Sequence, residues 1–117
     1  MRVVCISDTH NLHNQLEIPD GDILIHAGDI SAVGEKEDII NFNHWLGQLP
    51  HKYKVVIAGN HDFYFENEPI EAKKLLSNAI YLNDSGIEIE GLKRAAFRIW
   101  GSPISPEFHD WAFNRKR

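Results

Sequence analysis

The apolar residues in the first half of the chain fall into short runs separated by polar segments that contain glycine. Three of these runs, at 3–6, 23–25 and 55–57, are dominated by Val and Ile and therefore favour buried strands. Between the second and third runs, Glu35 to Leu49 carries apolar residues at spacings of three and four, which predicts an amphipathic helix ending before Pro50. The order strand, loop, strand, helix, strand predicts parallel strands in one sheet.

The second half of the chain predicts another helix, a short strand and a hairpin. Asn67 is expected to cap the helix, with Pro69 in its first turn, and 80–82 is expected to form the strand. The segments 87–89 and 92–100 alternate apolar and polar residues and predict a hairpin that turns at Gly91. This hairpin begins a second sheet that the sequence does not complete.

The composition limits the class of protein and its partners. Of 117 residues, 43% are hydrophobic and 25% charged, so the chain is expected to form a globular domain and not a disordered segment. The net charge of −5 argues against non-specific binding to nucleic acid or to an anionic membrane, and no apolar stretch is long enough to span a bilayer. The single Cys5 lies in the first apolar run, where we expect a core residue and, with no internal disulfide, a cytoplasmic protein.

Polar side chains follow each of the three strands directly. Asp8 and His10 come after the first run, Asp29 follows Gly28 after the second, and the segment 59–62 (GNHD) comes after the third. In open α/β sheets, ligands collect at the carboxyl ends of the strands, so we expect these side chains to lie together. An aspartate and a histidine two residues apart also point to the same side of an extended segment.

These residue types predict a centre for two cations. Carboxylate oxygens with imidazole nitrogen suit zinc, manganese or iron better than calcium, and Asp29 can bridge two ions. Two metals about 3.5–4 Å apart hold a phosphate and generate a hydroxide nucleophile near neutral pH. His61 can give a proton to the leaving oxygen or hold a phosphate oxygen, with Asp62 orienting it and favouring its protonated form.

The other histidines of the chain are not predicted to be metal ligands. His13 lies in a polar loop and is either solvated or a substrate contact at the mouth of the site. His26 is expected to be hydrogen-bonded within its strand. His44 and His51 are expected to be structural or exposed. His109 has neither a strand nor a glycine before it and is not expected to bind a metal.

The order Asp8-x-His10, Gly28-Asp29 and then GNHD resembles the calcineurin-like metallophosphoesterase superfamily. The flanking segments ISDTH, ILIHAGD, VIAGNHD, WGSP and DWAFN are similar to its small metallophosphoesterase-domain-containing branch, and the resemblance covers nearly the whole chain. It implies the N-terminal part of a four-layer α/β sandwich, with a first sheet, flanking helices and an incomplete second sheet. It also implies hydrolysis of a phosphomonoester or phosphodiester.

Carried over by position, the resemblance implies a ligand set and two catalytic residues. Asp8 and His10 would bind the first metal, Asp29 would bridge, and Asn60 would bind the second metal. His61 would act on the leaving group with Asp62 behind it, and both Asn60 and His61 would contact the substrate. The family pattern continues with a further ligand histidine and a Gly-His-x-His motif, and the chain contains neither. Residues 1–117 are therefore interpreted as a single partial domain truncated at its C-terminus.

Two functions of different classes remain open. The first is a metal-dependent phosphohydrolase acting on a small phosphate ester or nucleotide. The alternative is a catalytically inactive fragment that binds one metal at Asp8, His10 and Asp29 and acts through association, for example as a homo-oligomer through its incomplete sheet. A nucleotide-binding α/β domain without metal is disfavoured, because the chain has no glycine-rich phosphate loop.

Overall fold

The computed structural model describes residues 2–31, 35–90, 96–106, 112 and 114–115. Its elements follow the chain in the order β1 (Val3–Ile6), a 3-10 helix (His13–Gln15), β2 (Ile23–His26), α1 (Lys36–Gly47), β3 (Tyr53–Val56), α2 (Phe63–Asn67), α3 (Pro69–Leu75), β4 (Ile80–Tyr81), β5 (Ser85–Glu90), β6 (Ala96–Gly101), β7 (Ser105–Pro106) and β8 (Asn114–Arg115). The order β2, α1, β3 is the one that the apolar periodicity predicts, whereas the predicted loop between β1 and β2 contains the short 3-10 helix.

The first sheet is parallel and has the strand order β1-β2-β3-β4. In its register Ile6 pairs with His26, His26 with Val56, and Val56 with Tyr81, so the strands end level with one another. The loops that follow the strands therefore leave the sheet at the same edge. This arrangement confirms the predicted α/β class and the parallel sheet.

The main hydrophobic core lies between this sheet and the helices on one face. Helix α1 buries Ile39, Phe42 and Leu46 completely, and their spacings of three and four place them on one side of the helix. Leu24 and Val56 meet them from the sheet. Because these apolar side chains leave water together, this face supplies much of the hydrophobic stabilisation of the domain.

The opposite face of the sheet is covered in part by the β5–β6 hairpin. The hairpin is antiparallel, with Ile87 opposite Ile99, and Ile89 joins the buried cluster of Ile23, Val55 and Leu82. The two predicted hairpin strands are therefore present, whereas the predicted turn at Gly91 lies outside the described residues. At the end of β6, Gly101 lies against the residues that directly follow β3 and β4, where an added Cβ would come within 2.6 Å of Ile57 Cγ2 and of Leu82 Cβ. The hairpin is the beginning of a second sheet facing the first, which agrees with the N-terminal part of the expected fold.

Two local predictions are wrong. Cys5 is exposed and not a core residue, because β1 is an edge strand: Val4 and Ile6 pack on the helix side, while Val3 and Cys5 point to the other face. Asn67 does not cap a helix. It is the last residue of α2, and α3 begins at Pro69.

Candidate metal centre

Three of the predicted ligands come together at the carboxyl edge of the first sheet. Asp8, His10 and Asp29 each present one ligand atom, and these atoms all lie within 4.8 Å of one another. The loops that carry them are joined by backbone hydrogen bonds from Asp8 N–H to the Gly28 carbonyl (2.9 Å) and from His10 N–H to the Asp29 carbonyl (3.1 Å). The level strand ends thus place an acid–histidine–acid group at one point.

The backbone at this point is strained. Asp8, His10 and Asp29 have φ angles of +55°, +43° and +57°, in the left-handed region that side chains other than glycine rarely adopt. Each such residue costs on the order of 1–3 kcal/mol, and such residues cluster at functional sites. The hydrogen bonds between the two loops hold these residues in the strained conformation.

The ring of His10 is oriented for metal binding. Its Nδ1 lies 3.3 Å from the carbonyl oxygen of Ser31, which can only accept, so Nδ1–H is the donor. This leaves the lone pair of Nε2 directed into the site, 3.7 Å from Asp8 Oδ1. A hydrogen bond on one ring nitrogen that directs the other towards an ion is the usual arrangement of a metal-binding histidine.

The two carboxylates have different electrostatic environments. A hydrogen bond from the Ser7 side chain lowers the pKa of Asp8, and His10 lowers it further. Burial raises the pKa of Asp29, and this increase is opposed by the His61 backbone N–H, which donates to Asp29 Oδ1 at 2.9 Å. Two neighbouring carboxylates, one of them buried, are costly to ionise together. A divalent cation would offset that cost, so the donor set fits a divalent metal ion.

Asn60 and His61 lie in the loop after β3, next to this group. The His61 ring centroid is 5.3 Å from that of His10, with the rings edge to face. The Asn60 carbonyl accepts a hydrogen bond of 2.8 Å from the N–H of Ala112, which ties this loop to the far end of the chain. The roles of Asn60 as a metal and substrate ligand and of His61 as a catalytic residue stay predictions.

Two glycines allow the loops after β2 and β3 to touch. Gly28 has a φ of +103°, and a Cβ there would lie 2.9 Å from the backbone of Gly59. A Cβ on Gly59 would collide with the backbone nitrogen and with Oδ1 of Asp29. The close approach of these loops brings Asp29 to the edge of the GNHD segment.

Asp62 is fully buried beneath the site and accepts four hydrogen bonds. Its Oδ1 accepts from Ser31 N–H (3.0 Å) and Ser31 Oγ (2.7 Å), and its Oδ2 accepts from Ile30 N–H (3.1 Å) and Gly59 N–H (2.8 Å). Ser31 had no motif around it that could have singled it out. That Asp62 orients the His61 ring stays a prediction.

His26 is structural, as expected. Its Nδ1 accepts from Gly28 N–H at 3.2 Å, so its Nε2–H donates to Thr9 Oγ1 at 3.0 Å. Burial lowers its pKa to about 4, which keeps the ring neutral. Thr9, between two predicted ligands, was missed because its partner lies 17 residues away in sequence.

His13 differs from both of its predicted roles. It is 1% exposed, and its ring lies 5.3 Å from that of Phe42 and 5.1 Å from that of Trp45. These two aromatic residues of α1 cover the loop that carries His13, so its ring lies in the core. His51 is buried and bonded to the Pro19 carbonyl, and His44 is exposed, as predicted, while His109 lies outside the described residues.

The parallel sheet and the acid–histidine–acid group at its carboxyl edge define an α/β protein with a candidate metal centre. A family model described as Calcineurin-like phosphoesterase matches residues 1–111. The chain belongs to this family, which confirms the resemblance noted in the sequence.

Similar proteins support the same branch. Metallophosphoesterase domain-containing protein 1 of Homo sapiens is 41% identical over 139 aligned positions, covering 99% of this chain and 41% of that protein. UPF0046 protein C25E10.12 of Caenorhabditis elegans is 47% identical, covering 88% of this chain and 41% of that protein. UPF0046 protein K07C11.7 of the same organism is 40% identical, covering 79% and 37%. This chain therefore spans about two-fifths of the length of these relatives.

In the part of the chain that the structure describes, no helix is long and apolar enough to cross a membrane.

Proposed function

We propose that this chain is part of a metal-dependent phosphohydrolase that cleaves a phosphomonoester or phosphodiester at a centre for two divalent cations. The observation that carries the proposal is the group Asp8, His10 and Asp29, whose ligand atoms lie within 4.8 Å of one another at the carboxyl edge of the sheet. Membership of the calcineurin-like phosphoesterase family supports phosphate esters as the substrate class.

Each residue of the site is assigned a role in metal binding from its position. Asp8 and the Nε2 atom of His10 would hold one ion, Asp29 would be shared between two ions, and Asn60 would contribute to the second. Manganese, iron or zinc suits this mixture of oxygen and nitrogen donors. When bound, such ions supply positive charge that orients a phosphate group and lowers the pKa of water.

His61 is the proposed partner of the substrate. Its backbone is held by the bond from its N–H to Asp29 Oδ1 (2.9 Å), and its ring lies beside that of His10. From this position the ring holds a phosphate oxygen or donates a proton to the leaving oxygen. The substrate proposed here is a small phosphate ester or nucleotide, because the chain carries a net charge of −5 and would repel a nucleic-acid backbone.

A second candidate function follows from the same three residues. Asp8, His10 and Asp29 alone form a set for a single ion. The face of β1 that carries Val3 and Cys5 is exposed, which leaves apolar surface open to association. In this alternative, the chain binds one metal without turnover and acts by associating with another chain.

Metal titration and turnover separate the two functions. The 117-residue chain is titrated with Mn²⁺ by isothermal calorimetry and assayed with p-nitrophenyl phosphate and bis-p-nitrophenyl phosphate. We expect Asp29→Ala to abolish turnover and to lower Mn²⁺ affinity by more than the roughly 10- to 100-fold lost when a ligand's supporting partner is removed. Asp20→Ala, which removes an exposed loop carboxylate, is the matched control and should change neither.

The stoichiometry decides between the candidates. Two ions per chain with turnover supports the phosphohydrolase. One ion without turnover supports the single-metal alternative, for which sedimentation velocity then measures association. A chain that binds no Mn²⁺, or whose binding survives Asp29→Ala, refutes both.

A further inference from the structure

The Asp62 carboxylate joins the two loops that carry the candidate ligands. Its partners are Ile30 and Ser31 in the loop after β2, and Gly59 in the loop after β3. We call this set of four residues the Asp62 clamp. Asp62 itself lies in the β3 loop, so its contacts to Ile30 and Ser31 span 32 and 31 residues of sequence.

Both oxygens of the Asp62 carboxylate are fully hydrogen-bonded. Each carboxylate oxygen accepts two bonds, of 2.7 and 3.0 Å at Oδ1 and of 2.8 and 3.1 Å at Oδ2. A carboxylate with 0% exposure can remain in a protein interior only when donors replace the water it has lost. Here three of the four donors are backbone N–H groups, so the carboxylate fixes the path of the main chain.

The clamp reaches the ligands through short connections. Ile30 follows Asp29 directly, so holding its N–H holds the peptide next to the shared carboxylate. The Ser31 carbonyl accepts the Nδ1–H of His10, so the clamp also lies behind that ring. Gly59 precedes Asn60 and lies against Asp29. Three candidate ligands thus depend on main chain that Asp62 fixes.

The strained backbone at Asp29 needs contacts that hold it, and the clamp supplies them. Asp29 has a φ of +57°, and a residue with a side chain keeps such a conformation only where its surroundings hold it. We infer that Asp62 is a positioning residue, whose buried carboxylate holds the loops after β2 and β3 in the arrangement that binds metal before any ion arrives. This role is separate from the predicted orientation of the His61 ring by Asp62. Its link to metal binding rests on the proposed function.

The most direct test of the clamp is the variant Asp62→Asn, because it keeps the shape of the side chain and replaces one acceptor oxygen by an NH₂ group. Two of the four clamp donors would then face another donor. We expect Mn²⁺ affinity to fall about 10- to 100-fold, the usual loss when a ligand's supporting partner is removed, with the number of ions bound at saturation unchanged. Asp20→Asn is the matched control and should leave the affinity as it is in the wild type.

A readout that needs no metal tests the clamp itself. In EDTA, amide hydrogen exchange measured by NMR should show loss of protection at Ile30, Ser31 and Gly59 in Asp62→Asn. The amide of Phe42, inside α1, should keep its protection. This pattern separates opening of the loops from general loss of stability.

A milder variant keeps the inference testable if Asp62→Asn does not fold. Ser31→Ala removes only the 2.7 Å bond from Oγ and should lower Mn²⁺ affinity in the same direction by a smaller factor. Ser77→Ala, which removes an exposed hydroxyl bonded to Asn43, is its control and should have no effect.

The outcomes distinguish the inference from the proposed function. A folded Asp62→Asn with wild-type Mn²⁺ affinity, or with protected Ile30 and Ser31 amides in EDTA, overturns the inference. Wild-type protein that binds no Mn²⁺ refutes the proposed function, and the exchange experiment then decides alone whether Asp62 holds the loops.

Discussion

Lowering the pH should destabilise this protein through His26, a buried residue beside the candidate metal centre. The ring is 1% exposed and lies 5.1 Å from that of Phe42. Its Nδ1 already accepts the Gly28 N–H, so a proton added there would point at another donor. Protonation therefore costs both a hydrogen bond and the burial of a charge.

The size of the effect follows from the pKa. Burial lowers the pKa of His26 to about 4 in the folded protein, from 6.5 when unfolded. Between these values the unfolded chain binds more protons, so the free energy of unfolding falls as the pH is lowered. At 1.36 kcal/mol per pKa unit, the loss is about 2 kcal/mol at pH 5 and approaches about 3 kcal/mol below pH 4. Well above pH 6.5 the ring is neutral in both states, so His26 makes no pH-dependent contribution there.

Urea unfolding in EDTA, followed by tryptophan fluorescence at pH 7, 6, 5 and 4.5, measures this loss. His26→Gln cannot titrate, so between pH 7 and 5 it should lose about 2 kcal/mol less than the wild type. His13, whose pKa burial also lowers, and Asp8, whose pKa is lowered mainly by Ser7, add acid sensitivity that both proteins share. His44→Gln, at an exposed histidine, is the control and should follow the wild type. Equal pH dependence in the wild type and His26→Gln would refute the reasoning.

Two further substitutions test the site and the core. In Gly59→Ala the new Cβ collides with Asp29 Oδ1, so calorimetry should show weaker Mn²⁺ binding, and urea unfolding should show a loss of about 1–3 kcal/mol from overpacking; unchanged Mn²⁺ affinity would contradict the loop contact. Phe42→Ala removes a completely buried ring and should cost about 3–5 kcal/mol in urea unfolding, and a loss below 1 kcal/mol would mean that α1 does not pack as described.

The local pattern of the sequence was enough to predict the strands and the edge of the sheet where the candidate ligands lie. Runs such as 55–57 carry their own strand preference, and the alternation with α1 implies a parallel sheet without reference to distant residues. Because parallel strands end at one edge, the sequence alone places Asp8, His10 and Asp29 together, and their ligand atoms do lie within 4.8 Å of one another.

Burial could not be predicted in the same way. Cys5 and His13 were both misplaced, one as core and one as loop, because a side chain's exposure depends on what covers it from elsewhere in the chain. The position of β1 at the edge of the sheet leaves Cys5 open to solvent, and the aromatic side of α1 covers His13.

The sequence by itself determined the candidate ligands and the edge of the sheet where they gather, since both follow from short segments with a strong local preference. Only the tertiary structure decided how those ligands are held. The partners of Asp62 in the clamp include Ser31, 31 residues away, and the ring of His10 is turned by a carbonyl 21 residues away. Hydrogen bonds over such separations exist only after the chain has folded, and no local pattern encodes them.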